Sequence, residues 1–548
     1  MKLLTQIDRN YLIIFVLSSL IFIPFLGQVH LFDWDEINFA ESAREMLVSG
    51  DFLTVQINFE AFWEKPPLFI WMQALSMSIF GVNEFAARFP NAICGIATLL
   101  ILYAIGKKTS NKQFGIIWVL AYAGSILPFL YFKTGIIDPW FNLFIFLGIY
   151  FAINYTDSDF VGSKSVQATL AGLAIGLGIL TKGPVALLIF AIVGIVLLII
   201  KRFKIKFTLK EIALFTIALI LTGGFWFILQ IMVGNYTILA DFIEYQIRLF
   251  KTQDAGHGGF LLYHFVVVFL GVFPASVFAL GGFRKQKELS TSEDHFRLIM
   301  VILLLTVLIL FTIVKTKILH YSSLAYFPVT YLAARFINSV LKKEQRIPMW
   351  QNSLIAFLGF SLALPMFGIS MFNKIKPWLL QEGRIKDDFA VANLGADVVW
   401  TGFEFIIGLI LLFGLFHYFR KANKTPKQGL LVLSISSILY INLTLLFVIT
   451  KVEGYTQNAA IEFYKTLQNK DVYIETLGFK SYAHLFYTQK KEVEEHRSRN
   501  KDWLLKGDID KDAYFVSKIT SMDNLLKLYP TLLVLDEKNG FVFYKRKH

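Results

Sequence analysis

The chain has 548 residues, of which 55% are apolar and 17% charged, against roughly 45–50% and 25% in an ordinary soluble protein. Phe alone supplies 55 residues, and the apolar positions lie in long runs, which excludes disorder, a disulfide scaffold and a fibrous repeat. The chain reads as an all-α polytopic membrane protein. The net charge is +13, from 53 Lys and Arg against 40 Asp and Glu. The basic residues gather in short connections between apolar runs, the habit of cytoplasmic loops, so no nucleic-acid partner is expected. The single cysteine, Cys94, has no intrachain partner and says nothing about redox compartment.

Segments long enough to cross about 30 Å of hydrocarbon lie at 11–28, 88–106, 114–132, 139–154, 166–181, 184–200, 211–230, 261–282, 298–314, 321–341, 350–372, 400–419 and 428–450. That predicts about 13 spans. Lys2 and Arg9 precede the first, and no small-residue cleavage site follows it, so it reads as an uncleaved signal anchor. Basic clusters at Lys107–Lys112, Lys201–Lys210, Arg284–Arg297, Lys342–Arg346 and Arg420–Lys427 fall on alternate connections. The positive-inside rule puts these and the N-terminus in the cytoplasm, and an odd number of spans then leaves the C-terminal region outside.

The first external connection, 29–87, holds nine acidic residues and only two basic ones, Arg44 and Lys65. Ile37, Ala40, Ala43 and Leu47 recur at helical spacing and predict an amphipathic helix in the interface. Pro66-Pro67 then opens an apolar segment, Leu68–Phe80, too short to span. Beyond 452 the charge density rises. Strand-like runs at 471–475, 513–517, 531–535 and 540–544, with helical patterns at 459–468 and 522–529, predict a small soluble α/β domain, 452–548, after a membrane domain, 1–451. No phosphate loop, metal cluster or nucleophile motif is visible in it.

Asp33-Trp34-Asp35-Glu36 opens the first loop's helix. Helix capping accounts for one or two of these carboxylates; three within four residues also suit a general base or a metal site, because like charges raise one another's pKa. In Glu64-Lys65-Pro66-Pro67, Lys65 is a lone cation beside a helix start, suited to a phosphate, or simply half of an ion pair before a proline-started helix. Arg248 precedes Asp254-Ala255-Gly256-His257-Gly258-Gly259, a flexible turn or a close approach to a ligand. His257 with Glu64 could hold a divalent metal. Asp138-Pro139 reads first as a helix start. Lys182 in Thr181-Lys182-Gly183-Pro184, and the cluster Lys315, Lys317, His320-Tyr321, put further cations and a tyrosine at the external membrane edge.

These residues carry a resemblance. Asp35-Glu36, Ala40-Glu41, Ala43-Arg44-Glu45-Met46, Glu64-Lys65-Pro66-Pro67-Leu68 and Asn83-Glu84-Phe85-Ala86-Ala87-Arg88 with Pro90 resemble the first loop of the bacterial ArnT-like and protein mannosyltransferase-like glycosyltransferases of the GT-C fold. Thr181-Lys182-Gly183-Pro184 and Lys315-Thr316-Lys317 with His320-Tyr321 fit the same family. The resemblance implies transfer of a sugar from a polyprenyl (undecaprenyl) phosphate carrier to a lipid A, protein or surface-glycan acceptor at the periplasmic face of the bacterial inner membrane. It implies Asp35 as the catalytic carboxylate with Glu36 its neighbour, Glu64 and Lys65 as the metal- or phosphate-contacting pair, and His257 as a metal ligand. Lys65, Arg248, Lys182, Lys315, Lys317, Tyr321 and Asp138 are the candidates for substrate or phosphate. A divalent ion (Zn, Mg or Mn) is the candidate cofactor, and no organic cofactor is expected. ArnT-like enzymes commonly carry Arg-Tyr shortly after the acidic pair where this chain has Asn38-Phe39, so the resemblance implies the reaction class and not aminoarabinose in particular. The alternative is a polytopic transporter or a lipid-linked sugar flippase. Such proteins often show paired halves with broken helices, which this sequence lacks.

Overall fold

In the computed structural model, residues 8–252, 258–284, 290–381, 383–422, 424–492 and 496–548 are described. Lys2, Asp254, His257 and residues 285–289 of the Arg284–Arg297 cluster lie outside them.

Each apolar stretch coincides with helix. Among the described residues, seven helices are long and apolar enough to cross a membrane: Glu84–Thr109, Lys164–Lys182, Leu209–Met232, Thr291–Ile313, Leu319–Leu341, Met349–Ser370 and Pro426–Gly454. Tyr263–Gly271 and Ala275–Gly282 give an eighth if counted together, bent by 109° where Pro274 cannot donate to the helical ladder. The remaining stretches form shorter helices: Arg9–Phe22, Lys112–Ala123 with Ile126–Tyr131, Asp138–Thr156, Val185–Ile200 and Phe405–Lys421. Ends are set by local chemistry. Asn83 accepts from the Ala86 amide at the start of Glu84–Thr109, and Lys107 and Lys108 occupy its last turn, where the helix dipole favours cations.

Contacts between connections sort into two sets. Asp8 pairs with Lys107 and Lys112, the Tyr155 hydroxyl meets the Lys206 carbonyl, and Thr156 meets His295. On the other side Lys182 pairs with Asp138, Lys65 meets Tyr245, and Lys451 pairs with Glu404.

The C-terminal region carries a four-stranded sheet in the order Tyr473–Leu477, Ala513–Lys518, Phe541–Arg546, Leu533–Lys538. The first pair is parallel and the rest antiparallel. The strand-like runs all fall on this sheet; the helices Ala483–Thr488 and Lys501–Lys506 add to the two patterns read from sequence.

The first loop and the C-terminal region share one core. Leu31, Ile37, Phe39 and Phe69 from the loop pack in the same buried cluster as Ile461, Ile474, Phe486 and Phe541. Polar contacts reinforce it: His30 Nδ1 to Glu453 at 2.9 Å, the Leu31 amide to the Tyr487 hydroxyl at 2.8 Å, and Lys490 to Asn58 at 3.0 Å. The helix Asp35–Ser49 forms where its periodicity predicts. It is buried from Glu36 through Met46, because the helices Leu68–Phe80 and Ala483–Thr488 cover it.

Candidate active site

The acidic motif divides at its centre. Glu36 is 4% exposed and accepts from both arms of Arg88, at 2.9 and 2.8 Å, and from the amides of Phe32 and Gly135. A Cβ at Gly135 would stand 3.3 Å from the Ala87 carbonyl oxygen, tighter than an ordinary contact. Arg88 also donates to the carbonyls of Leu26, Val29 and His30. Glu36 therefore ties the loop to the bundle, and its lone pairs are occupied. Glu41, Arg44 and Glu45 make a second buried group: Arg44 grips Glu41 through two bonds at 2.6 and 2.7 Å, and Glu45 accepts from the amides of Asn58 and Phe59. Asn38 and Phe39 are buried as well, so the departure from Arg-Tyr falls on packing positions.

Asp35 remains outward, its side chain 34% exposed. It is the first residue of its helix, and no side chain caps that helix. His320 Nε2 lies 3.3 Å from its Oδ2. The same nitrogen is 3.9 Å from Oδ2 of Asp138, and Lys182 holds Oδ1 of Asp138 at 2.6 Å. Asp138 stands in the first turn of Asp138–Thr156 but caps nothing; its carboxylate is committed to Lys182. Lys182 ends its helix because Gly183 follows at φ +104°, a conformation glycine adopts without strain. Its ammonium also lies 5.2 Å from the Tyr321 ring.

Two predicted cations meet on a residue that sequence reading passed over. Lys65 lies 4.7 Å above the Tyr245 ring and 3.3 Å from its hydroxyl, and the Arg248 guanidinium is 5.1 Å from the same ring. Tyr245 sits in an aromatic-rich helix, Tyr236–Lys251, where nothing marks one ring above another. Lys315 is exposed. Lys317 is not available for a phosphate: it is buried and donates to the carbonyls of Phe311, Thr312 and Val314 at 2.9, 2.6 and 2.7 Å. It closes a helix end, and burial depresses its pKa.

Glu64 is partly exposed beside Lys65. His257 lies outside the described residues, and among those described no group of three or more His, Cys, Asp or Glu side chains could hold a metal ion.

The C-terminal region reaches the same place. Lys480 lies 4.7 Å above the Trp34 ring, which packs 5.1 Å from Tyr482.

A helical membrane bundle whose first loop sets carboxylates and cations at one face is the GT-C architecture, and the comparisons agree. The structure matches crystal structures of ArnT from Cupriavidus metallidurans, one bound to undecaprenyl phosphate, with TM-scores of 0.75 and 0.76 at 16% identity over 98% of both chains. Residues 64–226 match the family model for dolichyl-phosphate-mannose-protein mannosyltransferase. An uncharacterized protein of Aquifex aeolicus is 29% identical over 68% of this chain and 71% of its own. The undecaprenyl phosphate-alpha-4-amino-4-deoxy-L-arabinose arabinosyl transferase of Pectobacterium carotovorum is 26% identical over 68% of this chain and 66% of its own. The match thus spans just under two thirds of that transferase's length. The chain is a multi-pass inner-membrane protein with the fold of these ArnT structures, similar to the bacterial ArnT-like and protein mannosyltransferase-like glycosyltransferases.

Proposed function

We infer that the chain is an integral membrane glycosyltransferase that moves a sugar from a polyprenyl-phosphate carrier to a lipid, glycan or protein acceptor. The observation that carries this reading is the juxtaposition at one end of the bundle of Asp35, partly exposed with His320 Nε2 3.3 Å away, with the Lys65–Tyr245–Arg248 group. Two like charges on one ring suit an anion bound between them, and a lipid phosphate is both anion and leaving group.

The chemistry follows from those positions. Asp35 takes the proton of the acceptor hydroxyl as its oxygen attacks the anomeric carbon. The bond from that carbon to the phosphate oxygen breaks, and the electron pair leaves with the polyprenyl phosphate, whose charge Lys65 and Arg248 offset. Attack opposite the departing phosphate inverts the anomeric carbon. Purified protein given a radiolabelled polyprenyl-phosphate sugar should move label to the acceptor and release polyprenyl phosphate. Label that stays on the carrier with lipid A, peptide and glycan acceptors alike overturns the reading.

We place the N-terminus in the cytoplasm and residues 452–548, as a soluble domain, in the periplasm. The alternating basic clusters support this, as does the core shared by the first loop and the C-terminal region, since elements packed together lie on one side.

A divalent ion held by Glu64 and His257 is a separate proposal; when bound, it would add positive charge beside the phosphate. Elemental analysis of protein purified without chelator should find an ion that His257→Ala reduces. Equal content in both proteins removes His257 from the ligands.

A further inference from the structure

Four stretches of chain meet around one ring nitrogen. Asp35 arrives on the loop helix, Asp138 and Lys182 on helices of the bundle, and His320 on the 3-10 turn Leu319–Ala325. The His320 ring packs edge-on to Tyr321, with centroids 5.6 Å apart, and Tyr321 in turn lies under the Lys182 ammonium. Nε2 carries at most one hydrogen, and two carboxylate oxygens face it, at 3.3 Å on Asp35 and 3.9 Å on Asp138. The oxygen on Asp138 is buried and has no hydrogen-bond partner among the described residues. Its other oxygen is taken by Lys182. A buried carboxylate oxygen with nothing to accept from is costly unless a donor reaches it at some stage.

We propose that His320 is a positioning residue for the transfer, acting through Asp35, and that its hydrogen is shared in turn between Asp35 and Asp138. The inference rests on reading Asp35 as the base. Before transfer, Nε2–H bonds Asp35 and aims its carboxylate at the acceptor; loss of a donor to a carboxylate disfavours the charged form. When the acceptor's proton arrives, Asp35 becomes neutral and a poorer acceptor. Nε2–H then turns to the waiting oxygen of Asp138, which Lys182 holds in place. His320 gives up no proton and is not consumed; the proton passes from acceptor oxygen to Asp35 alone. The charged groups facing His320 are Asp138, Lys182, Asp35 and Lys65.

The test compares His320→Leu, which removes the donor, with His320→Gln, whose side-chain amide offers an N–H near the same place and does not titrate. With a polyprenyl-phosphate sugar as donor substrate, His320→Leu should lower kcat roughly ten- to hundredfold, the worth of one hydrogen bond to a charged group. KM for the donor should stay unchanged, and the acid limb of the kcat/KM profile should move to higher pH. His320→Gln should recover most of kcat and return the limb. If His320→Leu does not reach the membrane, His320→Ala makes the same comparison. A structural role would depress both variants alike, with lower Tm and an unmoved limb, and that result overturns the proposal. Near-normal kcat in His320→Leu overturns it too. Failure of the wild type to move sugar from the carrier would strike the glycosyltransferase reading instead. An acid limb lost in Asp35→Asn but unmoved in His320→Leu would remove His320 alone.

Discussion

Asp35 and Glu36 are neighbours in sequence and differ in everything that governs reactivity. Glu36 is saturated by Arg88 and two backbone amides, whereas Asp35 is partly exposed and approached, among the described residues, by His320 at 3.3 Å. Asp35→Asn keeps size and should fold normally, since Asp35 caps nothing. Turnover should fall by about 10²–10⁴, the usual worth of a positioned base; near-normal transfer by the purified variant would sink the assignment. Glu36→Gln should instead show its cost in Tm, because it halves a buried ion pair. Lys65→Ala is the matching test on the phosphate. Most turnover should go while expression and Tm stay near wild type, because Lys65 is partly exposed and its contact is one tyrosine. Activity that persists would place the phosphate elsewhere.

At the scale of elements, the loop helix Asp35–Ser49 is less an interfacial strip than a buried strut. Its inner face holds Glu41, Arg44 and Glu45 with almost no water. Burial, and then the Glu41 carboxylate, push the Glu45 pKa up to about 9. The folded state therefore keeps a proton that the unfolded chain releases near the ordinary carboxylate value of about 4.3. The stability that proton contributes is complete below that value and is lost as pH rises towards 9. Glu45→Gln removes the dependence. The Tm of the variant relative to wild type should rise steadily from pH 5 to about 9; a flat difference would show that Glu45 ionises freely. Here legibility from sequence was mixed. The spacing of Ile37, Ala40 and Ala43 announced the helix. It could not announce that the polar face is also covered, because the covering residues lie in Ala483–Thr488, more than four hundred positions away.

For the whole molecule, the proposed orientation predicts reporter fusions after Lys112, Lys210, Arg297 and Arg420 in the cytoplasm and fusions near Asp51, Lys251 and Lys470 outside. An external signal at Lys210 would break it. The packing adds a constraint that charge counting lacks. Because residues 29–87 and the C-terminal region share a core, the chain between them crosses the membrane an even number of times, whatever the total. The basic clusters and the core contacts are independent observations, and the approach of His320 to Asp35 and Asp138, with Lys182 paired to Asp138, keeps those four residues at one end of the bundle.

The amino-acid sequence by itself determined the class of protein, the helical stretches, the strands of the C-terminal sheet and the loop in which the acidic and basic candidates lie. Those follow from hydropathy, period and local charge, which act within a few turns of chain. Only the tertiary structure decided which partners each candidate meets. It committed Glu36 to Arg88 and Lys317 to three carbonyls, joined Lys65 and Arg248 through Tyr245, and brought His320 to Asp35 across 285 positions. A side chain's chemistry depends on which partners fill its hydrogen-bonding capacity and how much water remains, and the folded bundle supplies both.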